Sequence, residues 1–320
     1  MDALSDVLRA VRLTGAIFFD IHAAEPWVAE TPPGPSIIGR MFPDAEHLVS
    51  YHVITGGSCW AALLGEPPVQ LRAGDIIVFP HGDAHVLSST PGMREKLDIA
   101  RYRRPGEGEG HLPFSMTMGD AAAESTHFVC GFLGCDARPF NPLLAALPRV
   151  IRVSDPADGP LGAYIRFAQA EAKHRRIGGE SVLSRLSELM FVDVVRRYLE
   201  TLPADRTGWL AGLRDRFIGR ALTALHRNPG KDWSLESLAR EVGLSRSALA
   251  ERFTQFVGQP PMQYLTNWRM QVAANHLLST TDNVAVIANR VGYDSEAAFS
   301  RAFKKAVGAP PSEWRTERRG

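Results

Sequence analysis

Two periodicities divide this chain of 320 residues. Up to about Pro156, apolar residues come in short runs: Ser36 to Phe42, Leu48 to Thr55, Cys59 to Leu64, Val69 to Leu71, Asp75 to Phe79 and Ala84 to Leu87. Gly, Pro or Asp turn signals bound each run, so the pattern predicts short strands of an antiparallel barrel or sandwich. Beyond it the period lengthens. Leu161 to Ala172 and Glu180 to Leu199 carry apolar residues at helical spacing, with Leu183, Leu186, Met190, Val194 and Tyr198 on one face. Pro203 to Trp209 reads as a linker, and from Leu213 the remainder reads as helices.

Within that remainder a pattern occurs twice. Ala239-Arg-Glu-Val-Gly243 returns as Ala288-Asn-Arg-Val-Gly292 after 49 positions, and Ser245 to Phe253 returns as Ser295 to Phe303 after 50. Gly258-Gln-Pro-Pro returns as Gly308-Ala-Pro-Pro. Two copies are too few for a solenoid. Each copy predicts a helix, a glycine turn and a second helix, the form in which proteins present a helix to a DNA groove. Ser234 is placed to cap the helix ending at Gly243, and Ser245 the next, whose buried face is Leu249, Phe253 and Phe256. A longer helix from about Met262 to Leu278 carries Tyr264, Leu265, Trp268, Val272, Ala273 and Leu277. In the second copy Val286, Ile287 and Val291 are expected to pack on Phe299 and Phe303. The connecting helix would span roughly 25 Å, close to the spacing of successive major-groove turns.

Composition adds a compartment and a polarity. Met1 to Ala10 alternates charged and apolar residues as a short amphipathic helix and lacks the marks of an export signal. No apolar stretch reaches the roughly 20 residues of a membrane span. Three cysteines fit a reducing interior, so a cytoplasmic protein without membrane contact is expected. The formal net charge of +1 hides a division: 17 Lys/Arg face 11 Asp/Glu from Asp205 onward, against 19 and 24 before it. A basic third on an acidic body suits a DNA-binding module joined to a domain with a different partner.

Residues 213 to 318 resemble the paired helix-turn-helix domain of the AraC/XylS family of bacterial transcription regulators. The likeness rests on Leu235-Glu-Ser-Leu-Ala-Arg-Glu-Val-Gly-Leu-Ser, Phe253, Pro260-Pro261, the run from Ile287 to Lys305, Gly308-Ala-Pro-Pro and Trp314-Arg. The first part resembles a cupin, the small β-barrel in which many of these regulators sense ligands. Gly74-Asp-Ile-Ile-Val-Phe-Pro-His-Gly-Asp-Ala-His85 matches the second cupin motif, with Ser88 and Ser89 where an Asn is usual. The first motif's metal-binding set is missing: only Glu46 and His47 stand near its place, out of register. The resemblance therefore implies an α+β chain. A cupin-like sensor domain (1–156) and a helical dimerisation or packing segment (157–204) precede an all-α domain of two helix-turn-helix units joined by a long helix (205–320). Its function would be sequence-specific, non-enzymatic regulation of transcription through double-stranded promoter DNA. A small ligand, a homodimer and, for an activator, RNA polymerase are the further partners. The alternative is a metal-dependent cupin enzyme fused to a DNA-binding domain.

By that resemblance the base-reading positions are Arg246, Ser247, Ala250 and Glu251 on the first recognition helix. On the second they are Ser295, Glu296, Ala297, Ser300 and Arg301. Arg301 has the fork to pair with guanine, and Glu251 an acceptor for a cytosine amino group. Arg269, Lys304 and Lys305 are expected on phosphates. In the barrel, Cys130 and Cys135 with His81 and His85 have the donor types of a Cys₂His₂ zinc site. A redox-sensing cysteine pair or two small packed residues in a hairpin are the other readings of that motif. Tyr51, Trp60 and Phe79 are candidates to line a ligand pocket. The helix from Glu180 to Leu199 is either a dimer face or packing for its own barrel.

Overall fold

The computed structural model describes residues 2–104, 112–119, 125–154, 159–174, 176–203 and 206–319. These fall into two compact units, and the chain passes between them repeatedly. One unit gathers Met1–Arg12, Asp136–Leu147 and Leu202–Gly320; the other holds Leu13–Cys135 and Pro148–Thr201. The boundaries expected at 156/157 and 204/205 fall on residues outside the described set. The grouping around them is not linear, because two early segments pack with the C-terminal helices.

The second unit is built from ten strands in two sheets. They are β1 (Thr14–Ala24), β2 (Val28–Thr31), β3 (His47–Gly56), β4 (Ser58–Leu63), β5 (Val69–Arg72), β6 (Asp75–Phe79), β7 (His85–Ser88), β8 (Phe114–Met118), β9 (Ser125–Cys135) and β10 (Ile151–Ser154). The six-stranded sheet runs β10-β6-β3-β9-β1-β8 and the four-stranded sheet β2-β7-β4-β5. Strand alternation sends Ile54, Phe79, Phe128 and Phe132 from the first sheet and Cys59, Ala61, Leu71 and Leu87 from the second into one shared core. The run Ser36 to Phe42, expected as a strand, is instead a 3₁₀ turn (Gly34–Ser36) and a short helix α2 (Ile38–Met41) that buries Met41. Pro32, Pro33 and Pro35 around Gly34 favour that compact turn over a ladder.

Helices α4 (Pro160–His174) and α5 (Gly179–Thr201) follow the strands. The apolar face of α5, with Leu183, Leu186, Met190, Val194 and Val195 buried, lies on the outer surface of its own barrel across β1. Ser187 sits so close to Gly15 that a Cβ there would come within 2.5 Å of the serine Cβ. This buried face packs on its own barrel.

The other unit is helical: α1 (Ala3–Ala10), α3 (Pro142–Ala146), α6 (Trp209–Arg214), α7 (Ile218–Arg227), α8 (Leu235–Val242), α9 (Arg246–Val257), α10 (Pro261–Ser279), α11 (Val284–Arg290), α12 (Glu296–Val307) and α13 (Pro311–Arg319). Asp2 caps α1 by accepting from the Ser5 N–H, and Ala3, Leu4, Val7 and Ala10 form the buried stripe the alternation predicted. That stripe packs on α7 and α10, and α3 packs on α6. The buried Gln271 of α10 ties both segments down. Its Nε2 donates to the Ala10 carbonyl at 3.0 Å, and its Oε1 accepts the Phe140 N–H at 3.0 Å. Among the described residues no helix is long and apolar enough to cross a membrane.

Candidate nucleic-acid interface and barrel interior

Each repeat forms the predicted helix pair. Ser234 and Ser237 cap α8 reciprocally, Gly243 ends it in the left-handed conformation, and Ser245 caps α9 by accepting from the Ala248 N–H. In the second copy Asn283 caps α11, Gly292 takes φ +84, and Ser295 caps α12 through the Ala298 N–H. Gly292 precedes its serine cap by three positions and Gly243 by two, the one-residue difference visible in the repeat. The copies therefore set their second helices at the end of unequal turns.

Leu249 and Phe253 anchor α9, leaving Arg246, Ser247 and Glu251 exposed and Ala250 half-buried. Phe299 and Phe303 anchor α12, and Ser295, Glu296, Ala297, Arg301, Lys304 and Lys305 are exposed, with Ser300 half-buried. Val286, expected in the second core, is 40% exposed, because Ile287 and Val291 fill that face. Between the units α10 runs 19 residues, a rod of about 28 Å. Tyr264 and Trp268 are wholly buried along it; His226 stacks on Trp268 at 4.0 Å and hydrogen-bonds the Tyr264 hydroxyl at 2.7 Å.

Arg269 does not belong with the phosphate contacts. Its Nε donates to the Pro229 carbonyl at 2.8 Å and one terminal nitrogen to Lys231 O at 2.9 Å, while the other reaches Gly292 O at 3.4 Å. Burial lowers its pKa from the usual arginine value. The fork is occupied by backbone, joining the loop before α8 to the turn before α12.

In the barrel, the four residues expected to share a zinc ion are not brought together. Cys130 and Cys135 both lie on β9, five positions apart, so strand alternation points them to opposite faces. Cys130 faces the core with Phe128 and Phe132, and Cys135 faces the other way. The hairpin turn expected between them is unbroken strand. His81 stands half-buried outside the strands.

What the interior does hold was not foreseen: a buried chain of three side chains. His52 Nδ1 lies 2.9 Å from Cys130 Sγ, and its Nε2 lies 2.7 Å from His85 Nε2. His85 Nδ1 reaches the Asp83 carbonyl at 2.8 Å, and Phe79 stacks on the His85 ring at 3.8 Å. His52 stands between its two partners, spending one nitrogen on each, so the three do not converge on a common point. Burial holds the His52 pKa well below the imidazole range, brings His85 down to about 4 and pushes the Cys130 thiol up. These three side chains are thus uncharged at neutral pH. The signal in the sequence was the even spacing of His52 from Leu48 and Ile54, which puts it on the inward face.

Of the pocket candidates only Phe79 faces inward. The Tyr51 hydroxyl lies 2.7 Å from Ser187 Oγ on the outer side, and Trp60 alternates with the inward Cys59 and Ala61. The cavity beside His52 and Cys130, about 30 Å³, is lined instead by Phe19, Ile21, Tyr102, Met116, Met118 and Phe132 among others.

Comparison with known proteins follows the same division. A cupin family model matches residues 2–200 and a helix-turn-helix domain model residues 238–317. A putative AraC-like transcription regulator of Streptomyces lividans is 31% identical over 98% of both chains. The chain belongs to the AraC-like transcription regulators. The regulator AlkR of Acinetobacter baylyi is 27% identical over 99% of this chain and 100% of its own. Among solved structures, the C-terminal domain of AraT, a response regulator from Geobacillus stearothermophilus, is 37% identical over 31% of this chain and 81% of that one, with a TM-score of 0.29. As an AraC-like regulator, the protein is a DNA-binding transcription regulator whose fold is α+β, a cupin-like part followed by helix-turn-helix units.

Proposed function

We propose that this regulator reads an asymmetric promoter site with α9 and α12 in successive major grooves, under the control of a small effector taken into the barrel. The observation that carries the reading is the pair of capped helices whose exposed faces differ: Arg246, Ser247 and Glu251 on one, Glu296, Ala297 and Arg301 on the other. Arg301 is suited to a bidentate guanine contact, and Lys304 and Lys305 to phosphates. The wall around the cavity is mostly apolar but includes Glu95 and Arg101, which suits a mostly apolar effector that carries a polar group. Such a molecule would enter by displacing Met116 and Met118, whose flexible side chains repack at small cost. Homodimerisation and polymerase contact belong to the same reading and are checked by sedimentation and by transcription from the bound promoter.

Selection of bound duplexes from a random pool tests it. The expected product is a site with two different segments about one helical turn apart. Arg246→Ala should blur the first segment and Arg301→Ala the second. A palindrome, or a single segment sensitive to both changes, overturns the reading.

A further inference from the structure

The two helix-turn-helix copies are unequally supplied with cations. On α12 the last turn carries Lys304 and Lys305; fifty positions earlier α9 has Thr254 and Gln255. The cations of α9 are Arg246 and Arg252, and Arg252 is held by Asp215 at 2.5 Å. The first copy thus presents one unpaired cation on its recognition helix, among the described residues.

Its cations lie elsewhere in the same unit. A groove of about 550 Å³ runs along α7, lined by Arg214, Arg216, Arg220, Arg227 and Lys231 against the carboxylates of Asp215 and Glu241. Asp215 is already engaged with Arg252 and with the N–H groups of Phe217 and Ile218. Arg220 and Arg227 are seven positions apart, two turns along one face of α7, with Thr223 and Ala224 between them. Arg216 stands in the turn ahead of the helix and Lys231 in the turn after it, its ammonium 3.8 Å from the Trp233 ring centre. Arg220 also reaches across to the Glu241 carbonyl at 2.8 Å, which fixes the row against the end of α8.

We propose that this groove is a third DNA contact, gripping the phosphate backbone beside the first half-site through Arg216, Arg227 and Lys231, with Arg220 holding the row against the end of α8. The proposal rests on the DNA-reading function above and deepens it. The lining also favours nucleic acid over protein. Protein interfaces centre on apolar and aromatic anchors, and here Trp233 is buried. Interfaces with DNA are polar and positively charged. The row supplies the first copy with the phosphate grip that Lys304 and Lys305 give the second.

The test uses the full chain, a duplex selected from a random pool, and titrations between about 50 and 200 mM salt. Arg216→Ala with Arg227→Ala spares Arg220, which also holds α8. This double variant should flatten the slope of log affinity on log salt by about 2 and weaken binding about tenfold at low salt. Its base preferences should match those of the wild type. Lysine at both positions should restore the slope, since a phosphate responds to charge rather than to a fork. An unchanged slope in an alanine variant with wild-type circular dichroism overturns the proposal. So does unchanged DNA affinity with lost promoter activation, which would assign the groove to an acidic protein partner. A wild-type chain that binds duplex DNA without salt dependence would instead overturn the DNA reading beneath it.

Discussion

Ser187 gives its one hydroxyl proton to the Leu183 carbonyl at 3.0 Å, so the Tyr51 hydroxyl, 2.7 Å away, donates to Ser187 Oγ. This bond joins β3 to α5 over Gly131, where an added Cβ would come within 1.9 Å of the Tyr51 ring. Tyr51 is 3% exposed and has nowhere to retreat. Gly131→Ala should therefore cost about 3 kcal/mol through overpacking, and Tyr51→Phe about 1 kcal/mol through the lost donor. Urea unfolding of both variants checks the order. Equal losses would mean that the hydroxyl, not the close approach, is what positions α5.

Gln271 makes a second such joint. Its buried amide serves the Ala10 carbonyl and the Phe140 N–H at once; Asn275 Nδ2 also donates to that carbonyl at 3.2 Å, so Gln271→Leu would strand the Phe140 N–H. A loss of about 1 to 3 kcal/mol is expected. Hydrogen exchange should quicken at α1 and α3 before it quickens in α11 and α12. Uniform quickening across the unit would show that α1 and α3 are not separately held by this residue.

Acid should weaken the barrel through its interior histidines. His85 is buried neutral with a pKa lowered to about 4 by desolvation, whereas the unfolded chain takes up a proton near 6.5. Between these values the unfolded state binds more protons, so stability is full above about pH 6.5 and declines towards pH 4. The His85 contribution alone is about 2 kcal/mol at pH 5. Denaturation midpoints at pH 7.5 and 5 measure the drop, and His85→Gln should shrink it whatever that variant does to stability at pH 7.5. A drop of unchanged size in the variant would place the proton uptake elsewhere.

Local signals were the legible ones. Ser234, Gly243 and Ser245, with Gly292 and Ser295, mark helix ends by their own backbone chemistry, and the structure has those ends. The runs at Leu48, Cys59, Asp75 and Ala84 became β3, β4, β6 and β7, because turn residues bound each of them. Partnerships between distant segments were not legible. β1 pairs with both β8 and β9, 95 to 120 residues away, and nothing in Thr14 to Ala24 announces either. The inward row of His52, His85 and Cys130 needs the register of β3, β7 and β9 at once. Cys130 and Cys135 misled because close spacing suggests a shared site, while five positions on one strand separate two side chains onto opposite faces. Likewise α1 was read as an amphipathic helix, but its place beside α10 depends on a Gln271 amide 261 positions from Ala10.

Arg269 gives the sharpest contrast between holding DNA and holding the fold. Its charge and its place on α10 suggest a phosphate contact, yet its three nitrogens face the carbonyls of Pro229, Lys231 and Gly292. A cation bound to phosphate contributes close to one unit of the salt slope, while a cation bound to carbonyls contributes none. Arg269→Ala should therefore lower unfolding stability by about 2 kcal/mol, in the range of hydrogen bonds to a charged group. It should weaken DNA binding equally at all salt concentrations, because the turn before α12 loses its support. Arg269→Lys should behave almost as badly, since one ammonium cannot reach three carbonyls in a fork. Lys304→Ala should do the reverse, leaving stability within about 0.5 kcal/mol and flattening the salt slope by about 1. A flattened slope in Arg269→Ala would return this arginine to the DNA backbone.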